Sequence, residues 1–210
     1  MSTMPIEVDS SKTYKEETKK SSSNDSNDSS EREPNEQFNG DNGDYNGRQF
    51  GLLLNLPQKE YLEGIKGKDF FDDDDQCDNY HEYAVTLDKE EYLNPAGCSL
   101  TLSEPNIENN INQQFSFGRD NWNTVIDSMA KKGMVFDVAE ADSLNPPPGT
   151  PFYLFPFHGR HNQHFVYKNG KIYSKQNGMV VTYMGGDIPF QMMHVSPKLK
   201  KRQSFKMQLL

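Results

Sequence analysis

The sequence predicts an all-β domain made of three copies of one unit, preceded by a disordered tail. Three observations carry that expectation. Short apolar stretches separated by Gly, Pro and Asn run from Phe50 to the C-terminus, which is the pattern of many short strands. Two of the stretches begin alike, "LNPAGCSLTL" from Leu93 and "LNPPPGTPFYLF" from Leu144. A Gln-x-Phe triplet then closes three segments: Gln113 and Phe115 in "NQQF", Gln163 and Phe165 in "NQHF", Gln203 and Phe205 in "RQSF". One unit recurring at near-regular spacing is the mark of a repeat architecture.

The elements follow in chain order. Residues 1–47 are rich in Ser, Asn, Asp and Glu and hold almost no apolar clusters. Such a segment does not bury enough surface to offset its ordering entropy, so it is expected to be disordered. It reads either as a phosphorylated or partner-binding arm or, more plainly, as a solvated low-complexity stretch. From residue 48 the texture changes. "FGLLLNL" (Phe50–Leu56), "YAVTL" (Tyr83–Leu87) and "CSLTL" (Cys98–Leu102) read as strands of the first copy. "MVFDV" (Met134–Val138), "FYLF" (Phe152–Phe155) and "HFVY" (His164–Tyr167) belong to the second. "KIYS" (Lys171–Ser174), "MVVTY" (Met179–Tyr183), "FQMM" (Phe190–Met193) and "SFKMQLL" (Ser204–Leu210) belong to the third. "DNWNTVIDSMAKKG" (Asp120–Gly133) is the one stretch that passes for a helix, and its polarity makes it a weak one. Two further markers recur in order: "AVTL", "VFDV" and "VVTY", and "IDSMAKKGMV" against "IYSKQNGMV". The copies then span about 48–117, 118–167 and 168–210.

Composition narrows the function. The net charge is −9 across 210 residues. A general nucleic-acid binder needs clustered Lys and Arg against phosphates, so no nucleic-acid partner is expected. The N-terminus shows no apolar core of a signal peptide, and "FGLLLNL" is far too short to span a bilayer. Two cysteines, Cys77 and Cys98, make no disulfide framework. A soluble cytoplasmic protein is the expectation.

Three four-strand copies ending in Gln-x-aromatic resemble the β-trefoil of the ricin B-type lectin family, over roughly Phe50–Leu210. Phe stands here where that family has Trp. The texture from "NPPPGTPFYLFPFHG" to "YKNGKIYSKQNGMVVTY" is also similar to the lectin domains of the calcium-up-regulated (cup) proteins. The resemblance implies a non-enzymatic carbohydrate-binding module, linked through the cup group to a calcium response and membrane stabilisation. One copy cannot cover its own apolar face, whereas three close a six-stranded barrel capped by hairpins and leave few edges. Within it the three Gln-x-Phe pairs are fold residues first. Each Phe fills the interior and each Gln satisfies backbone groups at a turn.

The family's sugar site uses an Asp, an outward aromatic and an Asn of one copy. The carboxylate accepts from sugar hydroxyls, the amide donates and accepts, and the ring stacks on the sugar's C–H face. The middle copy alone offers all three: Asp137, Tyr153 and Asn162. Aligning Gly149 with Gly97 turns Phe152 and Leu154 inward and Tyr153 outward, since side chains alternate along a strand. Phe155 and Phe157 share the outward face, Gln163 stands beside Asn162, and His158 with Arg160 forms a rim. The outer copies hold Thr86 and Thr182 at the Asp position. Thr101 and Gln191 hold the platform position, and Arg202 replaces the third Asn. The plainer account is that Asp137 and Asn162 only brace turns.

Other chemistry is thinner. His158, His161 and His164 lie on a loop with no Cys nearby, so a metal site is not expected and His164 should face solvent. No cofactor is implied. Asp72–Asp75 could attract calcium weakly but lacks the spacing of a calcium-binding loop; a solvated acidic loop is the simpler account. Lys198, Lys200, Lys201, Arg202 and Lys206 form a basic patch suited to an anionic membrane surface, or a solvated loop. No catalytic motif occurs, and Cys98 reads as a small buried thiol. The expected partner is a glycan. The competing expectation is a protein-protein or peripheral-membrane module that binds no sugar.

Overall fold

The structure is a computed structural model. It describes residues 47–58, 79–91, 97–118, 124–139 and 143–210. The N-terminal tail and the calcium expectation at Asp72–Asp75 lie outside those residues.

The described elements are twelve strands and four single-turn 3-10 segments, so the all-β expectation holds. The strands are β1 (Gln49–Pro57), β2 (Tyr80–Glu91), β3 (Cys98–Ser103), β4 (Phe115–Gly118), β5 (Val125–Ser128) and β6 (Met134–Val138). They continue with β7 (Thr150–Pro156), β8 (Phe165–Lys168), β9 (Lys171–Ser174), β10 (Val180–Tyr183), β11 (Phe190–Met193) and β12 (Phe205–Leu209). The stretch that passed for a helix contains β5, four residues of which all but Asp127 are buried. Ile126 turns into the core, and Asp127 stays half-buried on the other face.

Six strands close a ring. β1 pairs β4 and β12, β4 pairs β5, and β8 pairs β9, all antiparallel. Single backbone bonds complete the circuit: the Phe165 amide donates to Thr124 at 2.8 Å, and the Phe205 amide to Gly170 at 2.6 Å. The remaining six strands form three hairpins, β2–β3, β6–β7 and β10–β11. Each leads through a 3-10 turn to the next ring strand. β7 joins the hairpins laterally, touching β3 and β11. Closure removes most strand edges.

One apolar cluster fills the ring and spreads beneath the hairpins. Its aromatic members form an edge-to-face chain. Phe115 meets Phe136 at 5.0 Å, Phe136 meets Phe152 at 4.9 Å, and Phe152 meets Phe165 at 5.5 Å. Phe115, Phe165 and Phe205 of the Gln-x-Phe triplets are all in it, each 2% exposed or less. Truncating such a ring to Ala costs about 3–5 kcal/mol. A small satellite of Leu53, Ala84 and Ile107 covers the outer face of β1. It depends on Gly51, where an added Cβ would lie 2.4 Å from Ile107 Cδ1.

Candidate functional site

The three Gln side chains show how the site is built. Gln113 Oε1 accepts from the Asn106 amide at 2.7 Å, and Gln203 Oε1 from the Ser196 amide at 3.0 Å. Gln163 Oε1 accepts from the amides of His158 (2.9 Å) and Gly159 (3.1 Å). Each Nε2 then donates to a loop carbonyl: Glu104, Pro156 and His194 respectively. The fully buried Gln thus satisfies both backbone donors and acceptors of the loop it closes, as buried polar groups must be.

Gln113 Nε2 also reaches Ser103 Oγ at 2.8 Å, and each of the three Nε2 groups reaches a side chain at one common position of its hairpin. In the outer copies that partner is a threonine, Thr86 at 3.2 Å and Thr182 at 3.1 Å. In the middle copy it is Asp137 Oδ2, at 2.7 Å. The sequence alignment of these three positions is therefore a spatial equivalence. So is the platform alignment, because Thr86 pairs across strands with Thr101, Asp137 with Tyr153, and Thr182 with Gln191. The Asn position also carries over. Asn162 Nδ2 donates to Val138 O at 2.8 Å, and the Arg202 guanidinium donates to Tyr183 O at 3.4 Å. Val138 and Tyr183 each follow the Gln-bound residue.

The Thr-to-Asp exchange changes the electrostatics. Thr86 and Thr182 donate their hydroxyl protons to nearby carbonyls, Ala84 O and Val180 O. Asp137 brings a carboxylate that is 2% exposed. Burial pushes its pKa up from 3.8 to about 7, although hydrogen bonds from Gln163 and Asn162 pull the other way. His158 Nε2 lies 3.3 Å from Asp137 Oδ2. The Arg160 amide donates to His158 Nδ1 at 3.2 Å, which leaves Nε2 as the protonated nitrogen facing the carboxylate. Burial, and then the Arg160 charge, lower the pKa of that imidazole, keeping it neutral. Tyr153 is pushed up to about 12 by burial and by the Asp137 charge, so it remains a phenol.

The six expected site residues come together, with three corrections to their surroundings. Tyr153 does turn away from the core cluster that holds Phe152 and Leu154, but it is no open platform. It is 9% exposed, and Gly97 lies so close that an added Cβ would stand 3.1 Å from its ring. The open aromatic surface continues from it instead. Phe155 stands 6.0 Å from Tyr153 and 5.9 Å from the His158 ring, and Phe157 is 39% exposed. His164 does not simply face solvent: its Nδ1 is 2.8 Å from the Thr124 hydroxyl. With His158 on Asp137, two of the three loop histidines are engaged separately. Arg202 is likewise no free surface cation, being 8% exposed.

Two features were missed. The Asn162 side-chain carbonyl is buried and has no hydrogen-bond partner among the described residues. Nothing in the sequence signals that. The other is Gly97 covering Tyr153: aligning Gly97 with Gly149 relates the copies without showing that one lies against the other. Cys98 is in the core cluster as expected, with Lys131 Nζ 2.8 Å from its sulfur.

No protein-family model and no curated protein matches the chain. Solved structures do. PSL1a, solved as a complex, is 15% identical with a TM-score of 0.50, covering 76% of this chain and 48% of its own. A mosquitocidal holotoxin is 10% identical with a TM-score of 0.50, covering 78% of this chain and 17% of its own. These two share the fold, and this chain spans about half of the first and far less of the second. A β-trefoil lectin of the Vibrio vulnificus hemolysin/cytolysin, bound to N-acetyl-D-lactosamine, aligns at 10% identity with a TM-score of 0.47, over 78% of this chain and 96% of its own.

Proposed function

We propose that residues 48–210 form a ricin B-type β-trefoil lectin module with one carbohydrate site, in the copy spanning about 118–167. The observation that carries this reading is the internal comparison. Three equivalent Gln-anchored positions hold Thr86, Asp137 and Thr182, and only the middle one carries a buried carboxylate. A brace needs no charge there, since two threonines serve the same bond. A carboxylate costs stability on burial, and a charge the fold does not need supports a role in binding.

In this reading Asp137 accepts from vicinal sugar hydroxyls. The partnerless Asn162 carbonyl accepts a further one, which removes the cost of leaving it unsatisfied. Phe155 and Phe157 supply the ring surface, and the covered Tyr153 ring packs against Phe155. Gln163 holds Asp137 and also anchors the loop bearing His158. That imidazole stands over Asp137 in the free protein and gives way to the ligand. The module works without catalysis or cofactor.

A panel of neutral mono- and disaccharides titrated by calorimetry tests this. The wild type is expected to bind at least one, and Asp137→Thr to bind none. Equal binding by the two proteins sinks the site. The wider reading, a cytoplasmic protein at the membrane periphery that responds to calcium, rests on the cup resemblance. Vesicle co-sedimentation with and without calcium tests it, and calcium-independent absence from anionic vesicles counts against it.

A further inference from the structure

The cations near the C-terminus do not act as one patch. Arg202 turns inward to Tyr183 O, and Lys206 Nζ is bound to Glu82 at 2.8 Å. Lys200 and Lys201 instead line a cleft of about 320 Å³ with Asn55 of β1, Tyr80 of β2 and Ser204. Lys201 Nζ stands 4.3 Å from the centre of the Tyr80 ring and donates to the Tyr80 hydroxyl. Ser204 Oγ donates to Lys200 O at 2.7 Å, so its lone pairs are left to accept. None of these residues belongs to the Asp137 site.

We propose that this cleft is a second binding site, which takes the phosphate monoester of a polyol. The chain carries a net charge of −9, so its surface at large repels anions. Lys200 and Lys201 both line this one cleft, and their two positive charges match a dianion. Lysine binds phosphate as a point charge with freely turning donors. Asn55 donates and accepts, Ser204 accepts, and both therefore suit ring hydroxyls. The Tyr80 ring gives an apolar wall for a C–H face. The cleft volume falls at the small end of ligand sites, about 300–1,000 Å³, and fits one phosphorylated ring rather than a polymer. The phosphate comes from a soluble polyol phosphate or from a phosphoinositide headgroup.

Both sources are testable on the full chain. Glucose 6-phosphate, inorganic phosphate and glucose are titrated by calorimetry. Phosphatidylcholine vesicles with and without phosphatidylinositol 4-phosphate are co-sedimented in parallel. The expected result is binding to the phosphorylated probe in at least one arm, with glucose silent in this cleft. Lys200→Gln and Lys201→Gln should each weaken it about tenfold or more, the scale of a lost charged hydrogen bond. Lys198→Gln and Lys206→Gln remove the same charge nearby and should change it less than about twofold. Circular dichroism checks that every variant is folded. Binding in neither arm overturns the proposal. So does an equal loss in all four variants, which would mean a diffuse surface field.

Discussion

At the scale of single residues, Asp137 is where the proposed sugar site and stability oppose each other. Its carboxyl has a folded pKa of about 7 against 3.8 in the unfolded chain. Between those values the native state holds a proton that the unfolded state releases. The contribution to stability is therefore full below about pH 4 and is lost as pH rises to 7. Three pKa units correspond to roughly 4 kcal/mol. Asp137→Thr, the residue of both sister positions, keeps a Gln163 partner and removes the charge. It should raise stability at pH 8 by about 1–3 kcal/mol, with little change near pH 4. Chemical denaturation at the two pH values measures this, and a destabilised variant at pH 8 refutes it. Sugar binding has the opposite slope. The acceptor form of Asp137 dominates above pH 7, so affinity should fall several-fold from pH 8 to pH 6. The groups facing Asp137 are His158 and Tyr153, with Arg160 acting on His158. Tyr153 stays neutral across that range.

At the scale of elements, the Gln turns separate fold from site. Gln113→Leu removes the bonds to Asn106, Glu104, Thr86 and Ser103. It should cost about 2–4 kcal/mol, because the loop's polar groups lose their partners. It should leave sugar affinity unchanged. Gln163→Leu should cost as much and also abolish binding, since it releases both Asp137 and the His158 amide. Thermal unfolding paired with sugar titration tells the two apart. If Gln163→Leu still binds, the turn does not organise the site. The same turns explain what the sequence disclosed. Gln-x-Phe was legible because one residue serves several backbone groups and its neighbour plus two fills the core, so few substitutes work. β4 and β5 were not legible as strands. Both lie in a polar, Asn- and Gln-rich stretch, "NQQFSFGRDNWNTVIDSMAKKG", with no apolar run to mark them, and their identity comes from partners across the ring. β5 still had a usable signal, since Ile126 and Ile172 both open a recurring marker and both enter the core. Tyr153's direction followed from alternation, but its cover did not. That depends on Gly97, from another copy, which the pairing of β3 with β7 at Cys98 and Leu154 brings near.

At the scale of the whole molecule, the ring is closed by the two ends of the described domain. β12 pairs β1 over five residue pairs, Phe50 with Leu209 through Leu54 with Phe205, and the Leu210 amide adds a bond to Gln49 O at 3.0 Å. This contact spans the longest sequence separation in the fold, so its loop-closure cost is met late in folding and it seals the core. Phe205 at its end lies in the shared cluster, and the Gln203 turn before it is held to Thr182 and His194. Each copy on its own leaves its apolar face open, so the three copies should unfold as one unit. Truncation after Ser204 removes only six residues, β12 and Leu210, yet it unpairs one edge of β1 and takes Phe205 out of the core. The expected outcome is loss of the cooperative thermal transition monitored by circular dichroism. Hydrogen exchange should rise in all three copies rather than in β1 alone. The middle copy, with its site chemistry intact, should then lose sugar binding too. A truncated chain that keeps a sharp transition and slow exchange in β5–β8 would show that the middle copy folds independently of ring closure. The present pairing pattern argues against that, because β5 meets β8 through the single Phe165–Thr124 backbone bond and β6 through one residue pair, Asp127 with Val135, whereas it pairs β4 from Phe115–Ser128 to Gly118–Val125.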